Sequence, residues 1–420
     1  MKYAAPRGTK DILPAETPLW QKLEATARKV FSLYNYQEIR TPIFELTDLF
    51  ARSIGTTTDI VKKEMYTFED RKGRSLTLRP EETAPVVRAC LENNLISNEQ
   101  ISKLYYIGPM FRYERPQAGR QRQFHQAGVE VFGSADPLLD AEVIVLNRHF
   151  FLELGLKKIE INLNSVGCDQ CRPDYRRALK EHFKSSVKKM CADCGGRYEE
   201  NTLRILDCKE PGCQAAIDSA PASTDTLCPE CKAHFETVIK TLDYQKIDFK
   251  VNKRLVRGLD YYTRTTFELV SGELGAQNAV SGGGRYDKLV AELGGKSIPA
   301  VGFAVGLERV VELIKSLTPK PYPLERLTLF IATLGEEAKR LGFDLLAQAR
   351  NKGISCDMDY LGKSLKAQLK AADRAGAKYV YIIGEEELKK GIAIIKDMKS
   401  GEQREIKLDD LEKELTGVQR

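Results

Sequence analysis

The sequence lacks the features that would send a chain into a membrane or out of a cell. No stretch of its 420 residues approaches the roughly 20 consecutive apolar residues that span a bilayer, so no membrane partner is expected. The opening residues, MKYAAPRGTKDILP, carry no apolar core of a secretory signal, which points to a cytosolic (cytoplasmic) protein. A strong excess of one charge is also missing: 65 Lys and Arg against 59 Asp and Glu leave a formal +6. That balance permits an RNA partner without requiring one. No internal repeat or low-complexity tract occurs, which excludes solenoid and propeller architectures. Nor do the ten cysteines form a secreted disulfide set. Cys90 and Cys356 stand alone, and the other eight fall between residues 168 and 231. Clustered CxxC pairs in a cytosolic chain point to metal rather than disulfides.

What is present reads as a multidomain globular chain. An apolar fraction of 42% beside a charged fraction of 30% suits a packed, water-exposed fold, and 420 residues exceed one ordinary core. Leu19, Trp20, Leu23, Ala27, Val30, Phe31 and Tyr34 recur at helical spacing, with Thr17 as the N-cap and Pro18 opening the helix. Leu104–Glu114, Phe124–Phe132, Lys158–Asn164 and Arg264–Val270 read as strands, Asp140–Leu154 as a helix, and the Gly-rich Ser281–Gly284 as a turn. Few βαβ units occur, so the fold class expected is α+β, a mixed, mainly antiparallel sheet flanked by helices. The core would comprise 1–165 and 247–317, interrupted by a helical, Cys-rich insertion at 166–246. A proline-bearing linker would occupy 318–326. Residues 327–420 alternate strand and helix, as in a small α/β domain with a largely parallel sheet.

The densest chemical signal is Tyr105–Gly133, YYIGPMFRYERPQAGRQRQFHQAGVEVFG. Arg112 and Glu114 share one parity on the first strand, and Gln126, Gly128 and Glu130 share one parity on the second. One face would then carry Arg, Glu, Gln and Glu, with a glycine where a side chain would block access. An amphipathic hairpin with a wet outer face would use similar residues. The loop between favours a site, because Arg115, Arg120 and Arg122 offer forks suited to phosphate.

This segment resembles motif 2 of class II aminoacyl-tRNA synthetases, in the form of the histidyl-tRNA synthetases. The other signatures follow in order: YQEIRTPIFE (Tyr36–Glu45) resembles motif 1, then LTLRPEETA (Leu76–Ala84), RGLDYYTRTTFE (Arg257–Glu268), SGGGRYD (Ser281–Asp287), and VGFAVGLERV (Val301–Val310), which resembles motif 3. The resemblance runs from about Pro6 to the C-terminus. It implies a class II synthetase core and a C-terminal anticodon-binding domain containing LGKSLKAQLK (Leu361–Lys370). The implied activity is that of an aminoacyl-tRNA ligase. ATP, with Mg²⁺, activates L-histidine to histidyl-adenylate, and the histidyl group passes to the 3′ end of tRNA(His). Motif 1 implies a homodimer.

The resemblance also implies residue roles. Arg112 would hold the α-phosphate and the substrate carboxylate, and Arg257 would neutralise the α-phosphate in the transition state; these two are the catalytic candidates. Arg309 would bind ATP near the γ-phosphate, Phe124 would stack on adenine, Glu114 would approach its amino group, and Arg120 would join the ATP site. Glu81, Thr83 and Gln126 would hold the histidine ammonium, beside Gly128. Glu130 and Tyr262 would bind the imidazole, with Tyr261 and Tyr286 lining its pocket. A carboxylate left unpaired by an isostere without a ring N–H would cost on the order of 2–4 kcal/mol. Core packing competes for at least one of Tyr261 and Tyr262, because adjacent strand residues face opposite ways. The GGG run at Gly282–Gly284 would let backbone approach a ligand. One position departs from the family pattern: Glu82 stands where glycine is common, and it is expected to face away from the site.

The cysteines pair as Cys168/Cys171, Cys191/Cys194, Cys208/Cys213 and Cys228/Cys231. Eight thiolates suffice for two structural, tetrahedral Zn²⁺ ions, and three groupings of the pairs are open. His182 or His234 could replace a thiolate. Two other functions compete with the ligase. One is a regulatory paralogue that binds histidine without activating it, which the intact Arg112, Arg257 and Arg309 and the C-terminal domain oppose. The other is a zinc-scaffolded RNA-binding module, which leaves the motifs unexplained.

Overall fold

The computed structural model describes residues 3–55, 58, 60–116, 119–274, 278–318, 327–410 and 413. Two compact units divide the chain, Met1–Tyr322 and Pro323–Arg420. Residues 319–326 of the expected linker lie outside the described residues, as do Gln117 and Ala118 of the basic loop.

The first unit is built on an eight-stranded sheet. Its spatial order is Gln37–Glu38, Ser102–Phe111, Gln123–Phe132, Ala300–Gly306, Ala279–Arg285, Thr263–Val270, Glu160–Ser165 and Lys250–Val251. The central pairings are antiparallel and only the two outermost are parallel. Side-chain parity divides its labour. Tyr105, Ala127, Val129, Val131, Ile161, Leu163, Phe267, Leu269, Val301, Phe303 and Val305 are buried in one core with apolar residues of helices Thr17–Leu33, Pro137–Glu153, Pro229–Tyr244 and Leu307–Leu317. Gln126, Gly128, Glu130, Gly302, Ala304, Gly282 and Glu268 occupy the alternate positions and are cross-strand neighbours. The first helix begins one residue earlier than the cap pattern predicts, with Thr17 already inside it. Arg285 is fully buried and anchors the helix Pro137–Glu153: its guanidinium binds Asp140, the Ser134 carbonyl at 2.9 Å and Asp287 at 3.0 Å. His234 reaches the same Asp140 at 2.7 Å.

Several expectations are corrected here. The strand before the basic loop ends at Phe111, so Arg112 and Glu114 lie beyond it and strand parity does not position them. Arg112 is instead held by its backbone N–H on the Arg122 carbonyl and its Nε on the Pro80 carbonyl, at 2.9 and 2.8 Å. The GGG run is not a turn; it is the middle of the strand Ala279–Arg285. Glycine is tolerated in that strand interior because neighbouring side chains and backbone fill the space a Cβ would need.

Helices Arg172–Phe183, Ala192–Glu200, Pro211–Asp218 and Pro229–Tyr244 form the insertion. Its own small core joins Tyr175, Leu179, Phe183, Ile205, Leu206 and Ile217 to Cys194, Cys208 and Cys213.

The second unit has a five-stranded sheet in the order Cys356–Met358, Leu329–Thr333, Tyr379–Ile383, Ile392–Asp397, Gln403–Lys407. The first three strands are parallel and the last two add antiparallel, so the sheet is mixed rather than largely parallel. Tyr381 and Ile383 face the core of helix Glu336–Asn351, while Val380 and Ile382 face that of helix Leu365–Arg374.

Candidate active site

A cavity of about 230 Å³ opens on the polar face of the large sheet. Glu81, Thr83, Arg112, Glu114, Arg120, Phe124, Gln126, Glu130, Arg257, Tyr261, Tyr262, Tyr286 and Arg309 all line it. Gly128 does not. Its missing side chain makes room for Tyr106, the residue opposite it in register; a Cβ at Gly128 would strike the Tyr106 ring and lie 2.6 Å from the Phe303 carbonyl. The same device recurs across the floor. A Cβ at Gly282 would collide with the Arg257 guanidinium, and one at Gly302 with the Glu130 carboxylate. These glycines clear space for protein side chains, which in turn meet the cavity.

One end of the cavity is cationic. Arg112 lies 5.3 Å from the Phe124 ring centre, and Arg120 pairs with Glu114 at 3.1 Å. Arg309, in the first turn of helix Leu307–Leu317, donates to the Gly119 carbonyl at 3.3 Å and to the Ala279 carbonyl. Burial and the like charge of Arg120 both disfavour the Arg309 cation, a penalty that a bound polyanion would relieve. Of the other loop arginines, Arg122 stacks on Tyr113 at 3.9 Å and Arg115 does not line the cavity. Arg257 pairs with Glu268, and its Nε is buried without a hydrogen-bond partner, as is Gln126 Oε1. An unmet donor and an unmet acceptor on two residues that line one cavity suit a ligand that carries both.

The other end is acidic and phenolic. Glu130 accepts from Thr83 Oγ1 at 2.7 Å and from the Tyr286 hydroxyl. Burial, opposed by those two bonds and reinforced by Glu81 and Glu82, pushes the Glu130 carboxyl up to about 8. Glu81 sits at the start of helix Thr83–Glu92 and accepts from the backbone N–H groups of Thr83 and Ala84 at 2.7 and 3.0 Å; burial raises it as well. Glu82 does face away from the cavity, but into protein. It pairs with Arg79 at 2.9 Å and Thr41 at 2.7 Å, and burial pushes it up to about 7.

Tyr261 and Tyr262 both line the cavity, their rings 4.8 Å apart. The alternation rule does not separate them because both precede the strand that starts at Thr263. Sequence reasoning gave no role to Tyr106 or Glu268. A large residue in register with a glycine was the available signal for Tyr106, and the end of RGLDYYTRTTFE was the signal for Glu268.

The cysteines gather into two groups, Cys168/Cys171/Cys228/Cys231 and Cys191/Cys194/Cys208/Cys213. In each, the four sulfurs lie within 4.8 Å of one another. The Sγ separations for Cys168–Cys171, Cys168–Cys228 and Cys191–Cys208 are 3.7, 3.9 and 3.8 Å. A tetrahedron with Zn–S of about 2.3 Å has sulfur edges of about 3.8 Å, whereas a disulfide needs about 2.05 Å. Backbone N–H groups of Cys228 and Cys191 point at Cys171 and Cys213 sulfurs at 3.1 and 3.3 Å, as suits thiolates. Neither His182 nor His234 belongs to a group: His182 contacts the Ala216 carbonyl and His234 serves Asp140. Of the three groupings that spacing leaves open, the fold brings together the first pair with the fourth and the second with the third.

Comparison with known proteins agrees with this geometry. The family model described as histidyl-tRNA synthetase matches residues 8–310, and an anticodon binding domain matches 328–417. The chain is 53% identical to a histidine–tRNA ligase of Halothermothrix orenii over 415 residues, 99% of each chain. It is 53% identical to that of Desulforamulus reducens over 412 residues, 98% of each. The crystal structure of apo S. aureus histidyl-tRNA synthetase superposes with a TM-score of 0.82 at 40% identity, covering 98% of this chain and 99% of that one. The chain belongs to the histidyl-tRNA synthetase family.

Proposed function

We propose that this chain is a histidine–tRNA ligase that uses the cavity on the large sheet for both of its steps. A carboxylate oxygen of L-histidine attacks the α-phosphorus of ATP, pyrophosphate leaves, and histidyl-adenylate forms. A hydroxyl of the terminal ribose of tRNA(His) then attacks the activated carbonyl carbon, and AMP leaves. Mg²⁺ enters with ATP, as part of the substrate. The observation that carries this reading is the polarity of one cavity: Arg112, Arg120 and Arg309 line it together with Glu130 among buried phenols, and Arg257 lies 5.9 Å from the ring centre of one of them, Tyr262.

The chemistry needs little beyond positioning and charge neutralisation. Arg112 and Arg257 would grip the α-phosphate and the attacking carboxylate, and the guanidinium charge persists throughout. Arg309 and Arg120 would hold the outer phosphates, Phe124 the adenine face, and Glu114 its amino group. Glu81, Thr83 and Gln126 would receive the ammonium, with Gln126 Oε1 as the unmet acceptor. Glu130 would take the imidazole N–H, beside Tyr262, Tyr261 and Tyr286. We assign the two cysteine groups two structural Zn²⁺ ions, which a reducing cytosol would favour. Homodimerisation is supported by an exposed apolar strip on a separate three-stranded sheet beside motif 1: Phe44, Leu46 and Phe68 are 51, 55 and 44% exposed. No helix among the described residues is long and apolar enough to cross a membrane.

Histidine-dependent ATP–pyrophosphate exchange, run against a panel of amino acids, tests the reading. Exchange with histidine alone is expected, falling about 10²–10³-fold in Arg257→Ala, the scale for losing one charge-stabilising donor. Exchange with a different amino acid would overturn the assignment of Glu130, and histidine binding without exchange would convert the chain to a regulatory histidine sensor.

A further inference from the structure

The Arg257–Thr263 segment carries four cavity residues, Arg257, Leu259, Tyr261 and Tyr262, yet forms no helix or strand before Thr263. What holds it comes from the insertion. The guanidinium of Arg172, the residue after Cys171, donates to the Tyr262 carbonyl. Val166 and Gly167, just before Cys168, exchange backbone hydrogen bonds with Arg264 at 2.8 Å each. At the other end of the segment, Arg204 donates to the Gly258 carbonyl at 2.6 Å and reaches Asp260 at 3.4 Å. Asn201 reaches the same Asp260 carboxylate at 3.3 Å. Arg204 lies in the short turn Thr202–Asp207, which leads directly into Cys208. Each end of the substrate segment is therefore gripped by an arginine rooted beside one cysteine group.

We propose that the two tetrathiolate sites, each holding one Zn²⁺, act as paired clamps that position Arg257, Tyr261 and Tyr262, so that metal binding and histidine binding reinforce each other. The clamp rests on the zinc assignment and on the ligase reading above. Metal closing Cys168, Cys171, Cys228 and Cys231 fixes the start of helix Arg172–Phe183, and with it Arg172. Metal closing Cys191, Cys194, Cys208 and Cys213 fixes both ends of the stretch that presents Asn201 and Arg204. Four-coordinate sites built only from thiolate leave no open position for substrate, so these metals act on the cavity through protein alone. Arg172, Arg204 and Asn201 are positioning residues, and thermodynamic linkage makes the coupling reciprocal: whatever factor metal adds to histidine affinity, histidine adds to metal affinity.

The test uses the full chain purified under reducing conditions. Elemental analysis should find two Zn²⁺ per chain. Arg172→Met and Arg204→Met should keep both metals while histidine binding, measured by calorimetry, weakens about tenfold; Arg172→Lys, which restores a donor, should recover part of it. In the wild type, saturating histidine should slow zinc loss to a chromogenic chelator. Metal-loaded Met variants that bind histidine like the wild type would overturn the clamp. A chain that neither contains zinc nor takes it up would overturn the metal assignment and the linkage with it. Failure of the wild type to bind histidine at all would instead sink the ligase reading.

Discussion

Replacing Glu130 by glutamine should make the ligand-free protein more stable at alkaline pH while weakening histidine binding. The folded carboxyl is raised to about 8 from an ordinary 4.5. Between those two values the folded chain holds a proton that the unfolded chain has released, so folding stability falls as pH rises through that window. At about 1.4 kcal/mol per unit, a shift of about 3.5 units approaches 5 kcal/mol, and relaxation around the ionised group brings the expected loss to the order of 3–5 kcal/mol. The amide of the Glu130→Gln variant has no proton to lose over this range. The stability difference, variant minus wild type, should therefore climb from pH 5 to pH 8 and level off above it, while titrating groups remote from Glu130 cancel in the subtraction. For a unit of roughly 320 residues, with an unfolding entropy of about 2.1 cal/mol/K per residue, that difference corresponds to about 4–7 °C. Urea unfolding at pH 5.5 and 8.5, without ligand, reads it directly. At pH 8.5, where Glu130 is ionised, histidine should bind the variant about 10–100-fold more weakly, because a hydrogen bond to a charged acceptor contributes about 1.5–3 kcal/mol. A stability difference that stays flat or shrinks with pH would refute the claim that burial holds Glu130 neutral. Unchanged histidine affinity would remove the imidazole from this end of the cavity.

Two further outcomes follow from the same structure. Arg285→Met should cost about 3–5 kcal/mol in denaturant unfolding, because it strands the Asp140 carboxylate in the core with only His234 beside it; a loss below about 1 kcal/mol would mean the buried pair is not needed to hold helix Pro137–Glu153. On the homodimer proposed above, Phe44→Glu should give monomer mass in light scattering where the wild type gives dimer mass, with its circular dichroism intact, since it places charge in the exposed strip shared with Phe68, 6.3 Å away ring to ring; a variant dimer would place the interface elsewhere, and a monomeric wild type would overturn the dimer itself.

Alternation along Gln123–Phe132 made the two faces of the large sheet legible from residue type alone. Ala127, Val129 and Val131 could only be core, which left Gln126 and Glu130 on the other side. The same rule misled wherever the chain was not a strand. Arg112 lies beyond a strand end and Tyr261 and Tyr262 before a strand start, so hydrogen bonds to distant carbonyls, not pleating, aim them. In the C-terminal unit the buried strands announced themselves as apolar runs, but Gln403–Lys407, an edge strand with one buried residue, left no such trace. That strand and its neighbour turned an expected largely parallel sheet into a mixed one.

The cysteines show a different limit. Spacing identifies a CxxC turn because four residues suffice to bring two sulfurs onto one metal. Joining two such turns depends on how the intervening helices pack, and that is settled by Tyr175, Leu179, Phe183, Ile205 and Ile217, side chains with no metal chemistry of their own. The chain folds Cys228 back some 57 residues to Cys171 and leaves Cys191 to close locally with Cys208 and Cys213. This nested arrangement is what places an arginine at each end of the Arg257–Thr263 segment. Had the first pair joined the third, Arg172 and Arg204 would stand beside one cysteine group instead of two. The grouping that sequence leaves open therefore sets whether the two arginines that hold the Arg257–Thr263 segment answer to one cysteine group or to two.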